Sequence, residues 1–288
     1  MNPSQVVPPV PCVPGAPSWV SLMTPDIDAA RSFYGPLLGW DFRPAPESSG
    51  PYEHAVRKGA RLAGIGHLPP GWSQQAAWMV FFGVADISVA AERVTERAGT
   101  VGVGPVDCAA GRMALATDPQ GLQFGLWQGA SGPARHLRLP GAPNWVELSS
   151  PDAFEAALFY GAVLDWDQQE SEHLDVWWEH ERVVVRVQGY NVAALRTQDA
   201  SGPATGWHVS FEVADVELAG AEALRLGGEV VSPPTDTPYG PTALLRDPGG
   251  AHFTVIAPSG SGAGHMGPRF AGAAGHGTTV LTGGGPGS

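Results

Sequence analysis

Two nearly identical stretches, Pro14–Val20 (PGAPSWV) and Pro140–Val146 (PGAPNWV), lie 126 residues apart in the chain. Phe33–Tyr34 returns as Phe159–Tyr160 at the same offset. Three later pairs share an offset of 129 residues: Trp78 with Trp207, Val84–Asp86 with Val213–Asp215, and Asp118–Pro119 with Asp247–Pro248. A three-residue insertion or deletion between the two sets explains the change of offset. The chain is therefore a tandem duplication of a unit of roughly 120 residues.

Each unit contains a weaker repeat in which a short strand is followed by an acidic turn and an amphipathic helix. The four helices are predicted to begin at Asp26, Asp86, Asp152 and Asp215, because aspartate caps free backbone N–H groups and suits the helix dipole. Gly39, Gly99, Asp165 and Gly227 follow near the four helix ends. Two or three strands with Gly/Pro turns come next. The predicted fold is α+β, with a β-α-β-β-β module repeated four times.

Four such modules in two units resemble the vicinal oxygen chelate superfamily of glyoxalases, bleomycin-resistance proteins and extradiol dioxygenases. Phe33–Tyr34 before Leu37–Trp40 is typical of it, as are Asp118–Gly121 and Asp247–Gly250 before a final strand. The resemblance covers about residues 14–258, and the chain resembles in particular the tandem type common in actinomycetes, often named hydroxylases and in part found in antibiotic pathways. It implies two tandem glyoxalase-like half-open barrels, each around one site.

The repeat also divides the chain into domains. We predict an N-terminal extension over residues 1–13, a first domain over 14–130, a linker over 131–139 and a second domain over 140–258. Residues 259–288 are rich in Gly, Ala, Ser and Pro, and this tail is predicted to be disordered.

Composition excludes several classes of protein. The 16 Lys and Arg against 28 Asp and Glu give a net charge of −12, which disfavours a nucleic-acid partner. There is no apolar run long enough to span a membrane, and the first residues do not resemble a signal peptide. The two cysteines form no disulfide framework or zinc cluster. We therefore expect a cytoplasmic protein without nucleic-acid or membrane partners, monomeric or homodimeric because duplication already pairs two units.

Strand alternation predicts which side chains of the second unit line its cavity. Val146 and Leu148 form an apolar set that must lie under a helix, and Val209, Phe211 and Val213 do the same on the next strand. The opposite faces are predicted to converge on one concave surface, with the side chains of Trp145, Glu147, Ser149, His208, Ser210, His252 and Thr254.

The same reading of the first unit predicts a different surface. Its members are mostly aromatic or thioether side chains, without imidazole or carboxylate: Trp19, Ser21, Met23, Met79, Phe81, Gly83, Gln123, Gly125 and Trp127. Such a surface could bind an apolar or aromatic molecule. Alternatively, these side chains simply fill a closed barrel.

The resemblance implies one metal ligand per module, at four positions of each unit. In the first unit these positions fall on Trp19, Gly64, Met79 and Gly125, and in the second on Trp145, Ala193, His208 and Thr254. Only His208 is a ligand type, so we predict neither a metal nor another cofactor. A rearranged site of Glu147, His208 and His252 has the inventory of a non-haem iron triad. On two of the three strands the triad residue lies two positions from the family's ligand position, Glu147 instead of Trp145 and His252 instead of Thr254. Two positions correspond to about 7 Å along a strand.

The same three residues suit metal-free acid–base catalysis better. His208 titrates near neutrality and can act as general base or acid. Glu147 could orient His208 or act as a second acid, and His252 could donate a proton. Such a set suits dehydration, cyclisation or isomerisation of an aromatic, polyketide-like carbonyl compound in antibiotic biosynthesis. A structural Glu147–His208 pair, with His252 at the rim, is the alternative.

Substrate-binding residues are predicted on the same face and above it: Trp145, Ser149, Trp177, Ser210, Tyr239 and Thr254. Of Trp177 and Trp178, one must face the cavity, and Tyr239 lies in a Pro-rich loop where this fold covers its cavity. Two other functions stay open. The ten tryptophans would also suit a protein that sequesters an aromatic drug without chemistry. A metal-dependent dioxygenase or glyoxalase is the third hypothesis.

Overall fold

The structure is a computed structural model. It describes residues 12–45, 51–68, 76–108, 110–130, 139–166, 174–179, 182–198, 205–237 and 239–258. The predicted tail and most of the predicted extension and linker lie outside the described residues.

The first domain contains two modules in sequence. The first module comprises β1 (Pro17–Thr24), α1 (Ile27–Leu38), β2 (Asp41–Pro44), β3 (Tyr52–Arg57) and β4 (Ala60–His67). The second module comprises β5 (Ala77–Gly83), α2 (Ile87–Glu96), β6 (Thr100–Cys108), β7 (Gly111–Thr117) and β8 (Gln123–Gly129). The eight strands form one sheet in the order β2-β3-β4-β1-β5-β8-β7-β6.

The second domain repeats this arrangement. Its third module comprises β9 (Pro143–Ser150), α3 (Ala153–Leu164), β10 (Leu174–Glu179), β11 (Arg182–Val187) and β12 (Tyr190–Thr197). Its fourth comprises β13 (Gly206–Glu212), α4 (Val216–Arg225), β14 (Glu229–Thr237), β15 (Gly240–Arg246) and β16 (His252–Ile256). The sheet order is β10-β11-β12-β9-β13-β16-β15-β14, again open at both edges. The predicted α+β fold and its fourfold module are confirmed, as two sheets that do not close into barrels.

The helices begin where the sequence predicts. Each predicted aspartate is the N-cap residue, as in α1, where the Asp26 carboxylate accepts a hydrogen bond from Ala29 N at 2.9 Å. The C-cap residue of α1 is Gly39, with φ of 66°, and the C-cap residue of α3 is Asp165, with φ of 63°. After α2 the left-handed residue is Ala98 rather than the neighbouring Gly99.

One hydrophobic core joins the two domains. The four helices and one face of each sheet contribute to it, and this face includes Val146 and Leu148, as the alternation predicts. At the centre the sheets touch directly, with the rings of Phe82 and Trp207 at 5.0 Å between centroids. The other face of each sheet, called here the concave face, therefore points away from the shared core.

Matched hydrogen bonds also join the domains. The Tyr34 hydroxyl accepts from Trp78 Nε1 at 3.0 Å and donates to Asp247 Oδ2 in the second domain at 2.9 Å. The duplicated counterpart links Trp207, Tyr160 and Asp118 in the opposite direction, at 3.0 and 3.3 Å. The other oxygen of each aspartate caps its own turn, as with Ala251 N at 2.7 Å from Asp247 Oδ1. Repeated residues thus lock the two units together. Within the described residues, no helix has the length and apolarity needed to cross a membrane.

Candidate functional site

The concave face of the second domain brings the predicted catalytic residues into one row. Glu147 on β9 lies directly opposite His208 on antiparallel β13. Directly opposite residues on one face hold their Cβ atoms about 5 Å apart. Strand β16 runs parallel to β13 with Thr254 level with Ser210, which places His252 next along the row. His208 is buried, whereas Glu147 and His252 are half-buried.

Glu147 makes an ion pair that the sequence reasoning missed. Arg196 Nε lies 2.5 Å from Glu147 Oε1, and about a fifth of each side chain is exposed (20% and 23%). Arg196 stands on β12, one strand beyond β9, with the adjacent Leu195 in the shared core. The guanidinium fixes the orientation of the carboxylate. Glu147 is therefore suited to orienting a neighbour.

A second arginine bridges the concave face. Arg182 Nη2 on β11 donates to the Tyr239 hydroxyl at 3.1 Å and to Glu179 Oε2 at 3.2 Å. Tyr239 lies on the turn between β14 and β15, at the far edge of the sheet from β11. Burial by itself would lower the pKa of Arg182, but its interactions with Tyr239 and Glu179 prevail and raise it. The predicted loop residue therefore does reach over the site.

The tryptophan pair divides as expected. The Trp177 ring carries the Arg186 guanidinium at 4.2 Å from its centroid. The Trp178 ring lies beside Phe154 of α3, at 5.9 Å between centroids, and is half exposed. Trp177 thus contributes an aromatic surface to the face opposite the helices, and its cation–π contact fixes the ring.

The electrostatic environment keeps His252 neutral near pH 7. Burial lowers its pKa, and Arg246, directly opposite on β15, lowers it further. Asp247 and Glu229 act in the other direction. A neutral imidazole serves as a hydrogen-bond partner more readily than as a resident proton donor.

The concave face of the first domain is filled by its own side chains. Met79, Phe81 and Leu115 form a small core of their own, against which further apolar side chains pack, namely Trp19, Met23, Val103, Met113 and Trp127. The Tyr52 hydroxyl lies 2.8 Å from Trp19 Nε1 and 2.6 Å from Ser21 Oγ. A Cβ atom added at Gly64 would lie 1.6 Å from the Tyr52 hydroxyl. Of the two interpretations of this surface, the filled one matches the structure.

One prediction about this surface is wrong. The first domain was expected to offer no imidazole, but His54 on β3 packs edge-on against Trp19 and Tyr52, at 5.9 and 5.6 Å between centroids. Burial lowers its pKa, and so does Arg61. The sequence reasoning assigned no face to β3 and therefore could not place His54.

The side chains at the family's metal positions do not fit a metal. Strand register places Ala194, not Ala193, level with Glu147, and Ala193 lies in the shared core. The prediction that the metal position of β12 falls on Ala193 is therefore wrong by one residue, and the position falls on Ala194. The corrected set in the second domain is Trp145, Ala194, His208 and Thr254, which offers one imidazole. Across the described part of the chain, no three His, Cys, Asp or Glu side chains are placed to hold a metal ion. The alternative triad of Glu147, His208 and His252 is among the residues so described.

With this geometry in view, comparison with known proteins defines the class. The chain belongs to the glyoxalase/bleomycin resistance protein/dioxygenase superfamily, whose model matches residues 16–126, and a glyoxalase-like domain model matches residues 145–256.

Several relatives match nearly the whole chain. CFP32 of Mycobacterium tuberculosis, provisionally named a glyoxylase, is 33% identical over 264 residues, covering 85% of this chain and 95% of CFP32. Two anthracycline biosynthesis proteins are similarly related. DauV of Streptomyces sp. strain C5 is 34% identical, and DnrV of Streptomyces peucetius is 33% identical. Each match covers 84% of this chain and 93% of the relative.

Solved structures share the fold. The 2,3-dioxygenase LapB of Pseudomonas sp. KL28 aligns with a TM-score of 0.57 and 15% identity, over 91% of this chain and 96% of LapB. A Mn(II)-bound glyoxalase of Novosphingobium aromaticivorans aligns with a TM-score of 0.55 and 17% identity, over 89% and 93% of the two chains. At this identity the likeness concerns the fold alone.

Proposed function

We propose that the chain is an enzyme of antibiotic biosynthesis that uses metal-independent acid–base catalysis on an aromatic, polyketide-like carbonyl compound. The reaction class is isomerisation, dehydration or cyclisation, and the site is the concave face of the second domain. One observation carries the proposal. Glu147 and His208 stand directly opposite each other there, with Arg196 fixing Glu147.

The residues suggest a division of roles. His208 takes a proton from the carbon next to the carbonyl group, and the resulting imidazolium returns it to carbon or to a leaving oxygen. Glu147, oriented by Arg196, stabilises the imidazolium that forms. His252 is neutral near pH 7, and its role is to donate a hydrogen bond to the substrate, which is a smaller role than proton donation.

The aromatic surface and the relatives support the proposed substrate class. Trp145 and Trp177 lie on the concave face, where flat rings can stack, and Ser149, Ser210 and Thr254 offer hydroxyl groups. DauV and DnrV are anthracycline biosynthesis proteins. A polycyclic hydroxyquinone aglycone is accordingly the first substrate to try.

The test is turnover of such aglycones by the purified chain, followed by liquid chromatography and mass spectrometry. His208→Ala should lower the rate about 100-fold or more while the dissociation constant changes little. Met79→Leu, at the matching position of the first domain, is the control and should keep full activity. Full turnover in both His208→Ala and Glu147→Gln would refute the proposal.

A second candidate is a protein that binds such a compound without chemistry. It is favoured by the ion pairs that engage Glu147 and Arg182, since such fixed charges also suit recognition. An aglycone that binds tightly and is recovered unchanged after long incubation with the wild-type chain would establish this alternative.

A further inference from the structure

A hydrogen bond crosses the concave face of the second domain. Arg182 on β11 donates to the Tyr239 hydroxyl on the β14–β15 hairpin at 3.1 Å. Arg182 is on the concave face, because the next residue of its strand, Val183, lies in the shared core. In the sheet, β12, β9, β13 and β16 lie between β11 and that hairpin. The bridge therefore passes over the strands that carry Glu147 and His208.

The first domain makes the same crossing with a different side chain. Strand register places Tyr52 level with Met23 and Arg182 level with Ser149, two residues that lie 126 positions apart, as the repeat requires. Burial raises the pKa of Tyr52, and nearby Cys108 on the β6–β7 hairpin also raises it. In both domains the side chain at this position thus approaches the hairpin at the far edge.

The two crossings differ in how firmly they are held. The Tyr52 hydroxyl is bonded to Trp19 and Ser21, and a Cβ atom at Gly64 would lie 1.6 Å from it, so this closure is built into the first domain. Arg182 is a long side chain that keeps 24% of its surface exposed. A partly exposed hydrogen bond contributes little net stability, so its link to the hairpin can be broken.

The charge of Arg182 stays paired when that link breaks. Glu179 stands directly opposite Arg182 on β10, its Oε2 accepts from Arg182 at 3.2 Å, and only 11% of its side chain is exposed. A carboxylate this buried needs a cation beside it. The hairpin is braced separately, because Thr237 Oγ1 donates to Gly240 O at 2.6 Å and accepts from Tyr239 N at 3.2 Å. The guanidinium can therefore leave Tyr239 and remain with Glu179.

We propose that the Arg182–Tyr239 bridge is a gate over His208, which opens when Arg182 withdraws from Tyr239 toward Glu179, and that an aromatic ligand enters through the open form. The first domain carries the same closure in permanent form. The inference rests on the proposed function only in taking the covered face as the place where the substrate binds.

Chemical modification of histidines tests the gate without any ligand. Diethyl pyrocarbonate acylates neutral imidazoles, and peptide mass spectrometry at about pH 8 gives the rate at each histidine. His208 is buried, whereas His67 is exposed and serves as the internal reference. Tyr239→Phe keeps the ring and removes the acceptor, so the rate at His208 relative to His67 should rise about three- to tenfold. Arg182→Met removes the donor and should raise it at least as much.

Tyr190→Phe and Arg112→Met are matched controls. They remove an exposed hydroxyl elsewhere in the second domain and a guanidinium of the first domain, and both should leave the ratio unchanged. An unchanged ratio in the folded test variants would overturn the gate. If one of the two test variants fails to fold, the other decides alone.

Binding of a dihydroxyanthraquinone, measured by calorimetry, gives a second readout. Because the ligand must first break the bridge, Tyr239→Phe should bind it about three- to tenfold more tightly than the wild type. Weaker binding, with no gain in acylation of His208, would mean that Tyr239 contacts the ligand and would overturn the gate. Full turnover in both His208→Ala and Glu147→Gln would remove the catalytic proposal and leave the acylation result in place.

Discussion

The concave faces of the two domains have the same arrangement of strands but differ in almost every side chain. In the first domain, Gly64 admits the phenol of Tyr52, and Gly125 admits the ring of Phe81, which lies 2.1 Å from where a Cβ atom would be. At the matching places the second domain carries larger or polar residues: Ala194, Arg182, Thr254 and Ser210. Glycines paired with aromatic side chains therefore fill the concave face of the first domain. The second domain lacks these pairs, and its concave face carries polar groups instead.

The faces toward the shared core, in contrast, have kept equivalent side chains in the two domains. Tyr34 and Tyr160 occupy equivalent positions and make the same pair of hydrogen bonds, each to an aspartate of the other domain. Close packing constrains such residues, because a change in one domain leaves a partner unsatisfied in the other. Duplication has therefore kept the joint between the domains and allowed their concave faces to diverge.

Reopening the first domain should have the largest effect. Tyr52→Ala leaves a cavity beside Trp19 and Ser21 and should lower the free energy of unfolding by about 3–5 kcal/mol. Added phenol should restore part of it by filling the cavity. Urea denaturation with and without phenol measures both effects. Tyr52→Phe, which keeps the ring, is the control, and an absence of any phenol effect on Tyr52→Ala would contradict the account.

The equivalence of the two joints can be tested next. Tyr34→Phe and Tyr160→Phe should each cost about 1.5–3 kcal/mol, because each removes a hydrogen bond to a buried carboxylate. Urea denaturation of the two variants at pH 7 gives the comparison. A large cost for one and none for the other would show that the joint is not symmetric.

These aspartates also predict a pH dependence. Burial raises the pKa of Asp247 and of Asp118, so the folded state binds their protons more readily than the unfolded chain. Their contribution to stability is therefore greatest below the unfolded pKa of about 3.9 and declines as pH rises through the raised values. The Tyr34 hydrogen bond lowers the pKa of Asp247, so Tyr34→Phe should steepen the decline. Unfolding free energies between about pH 4 and pH 8 measure it.

A smaller effect should come from the ion pair of the second domain, which the first domain lacks. Arg196→Met leaves Glu147 without its cation and should lower the free energy of unfolding by about 1–2 kcal/mol. Adding Glu147→Gln should recover most of that loss, and a double-mutant cycle with these variants measures the coupling. Strictly additive changes would mean that the contact contributes no coupling energy.

The smallest effect is expected at His252, whose position in the first domain holds Gln123. The folded pKa of His252 lies below its unfolded value, so its contribution to stability is complete above the unfolded pKa of about 6.5 and is lost as pH falls through the lower folded pKa. His252→Gln should therefore make stability slightly less sensitive to acid between about pH 6.5 and pH 5. Thermal unfolding across this range checks it, and a variant more acid-sensitive than the wild type would contradict the assignment.

Sequence patterns predicted the elements and faces that depend on local order. The four N-cap aspartates and the core-facing residues Val146 and Leu148 follow from capping chemistry and from period-two alternation. Period-two alternation assigned no faces to β11, because Val183, Val184 and Val185 are all apolar and both faces of that strand are buried there. Without alternation, Arg182 could not be assigned to a face, and Arg196 escaped notice for the same reason.

The sequence by itself determined the duplication, the fourfold module, the helix starts and the sheet face on which each of Glu147, His208 and His252 lies, since these follow from patterns that can be read along the chain. Only the tertiary structure decided that Tyr52 fills the first domain, that Arg196 pairs with Glu147, and that Tyr34 binds an aspartate 213 residues away. These contacts join strands far apart in the chain, where no local periodicity records which side chains will meet.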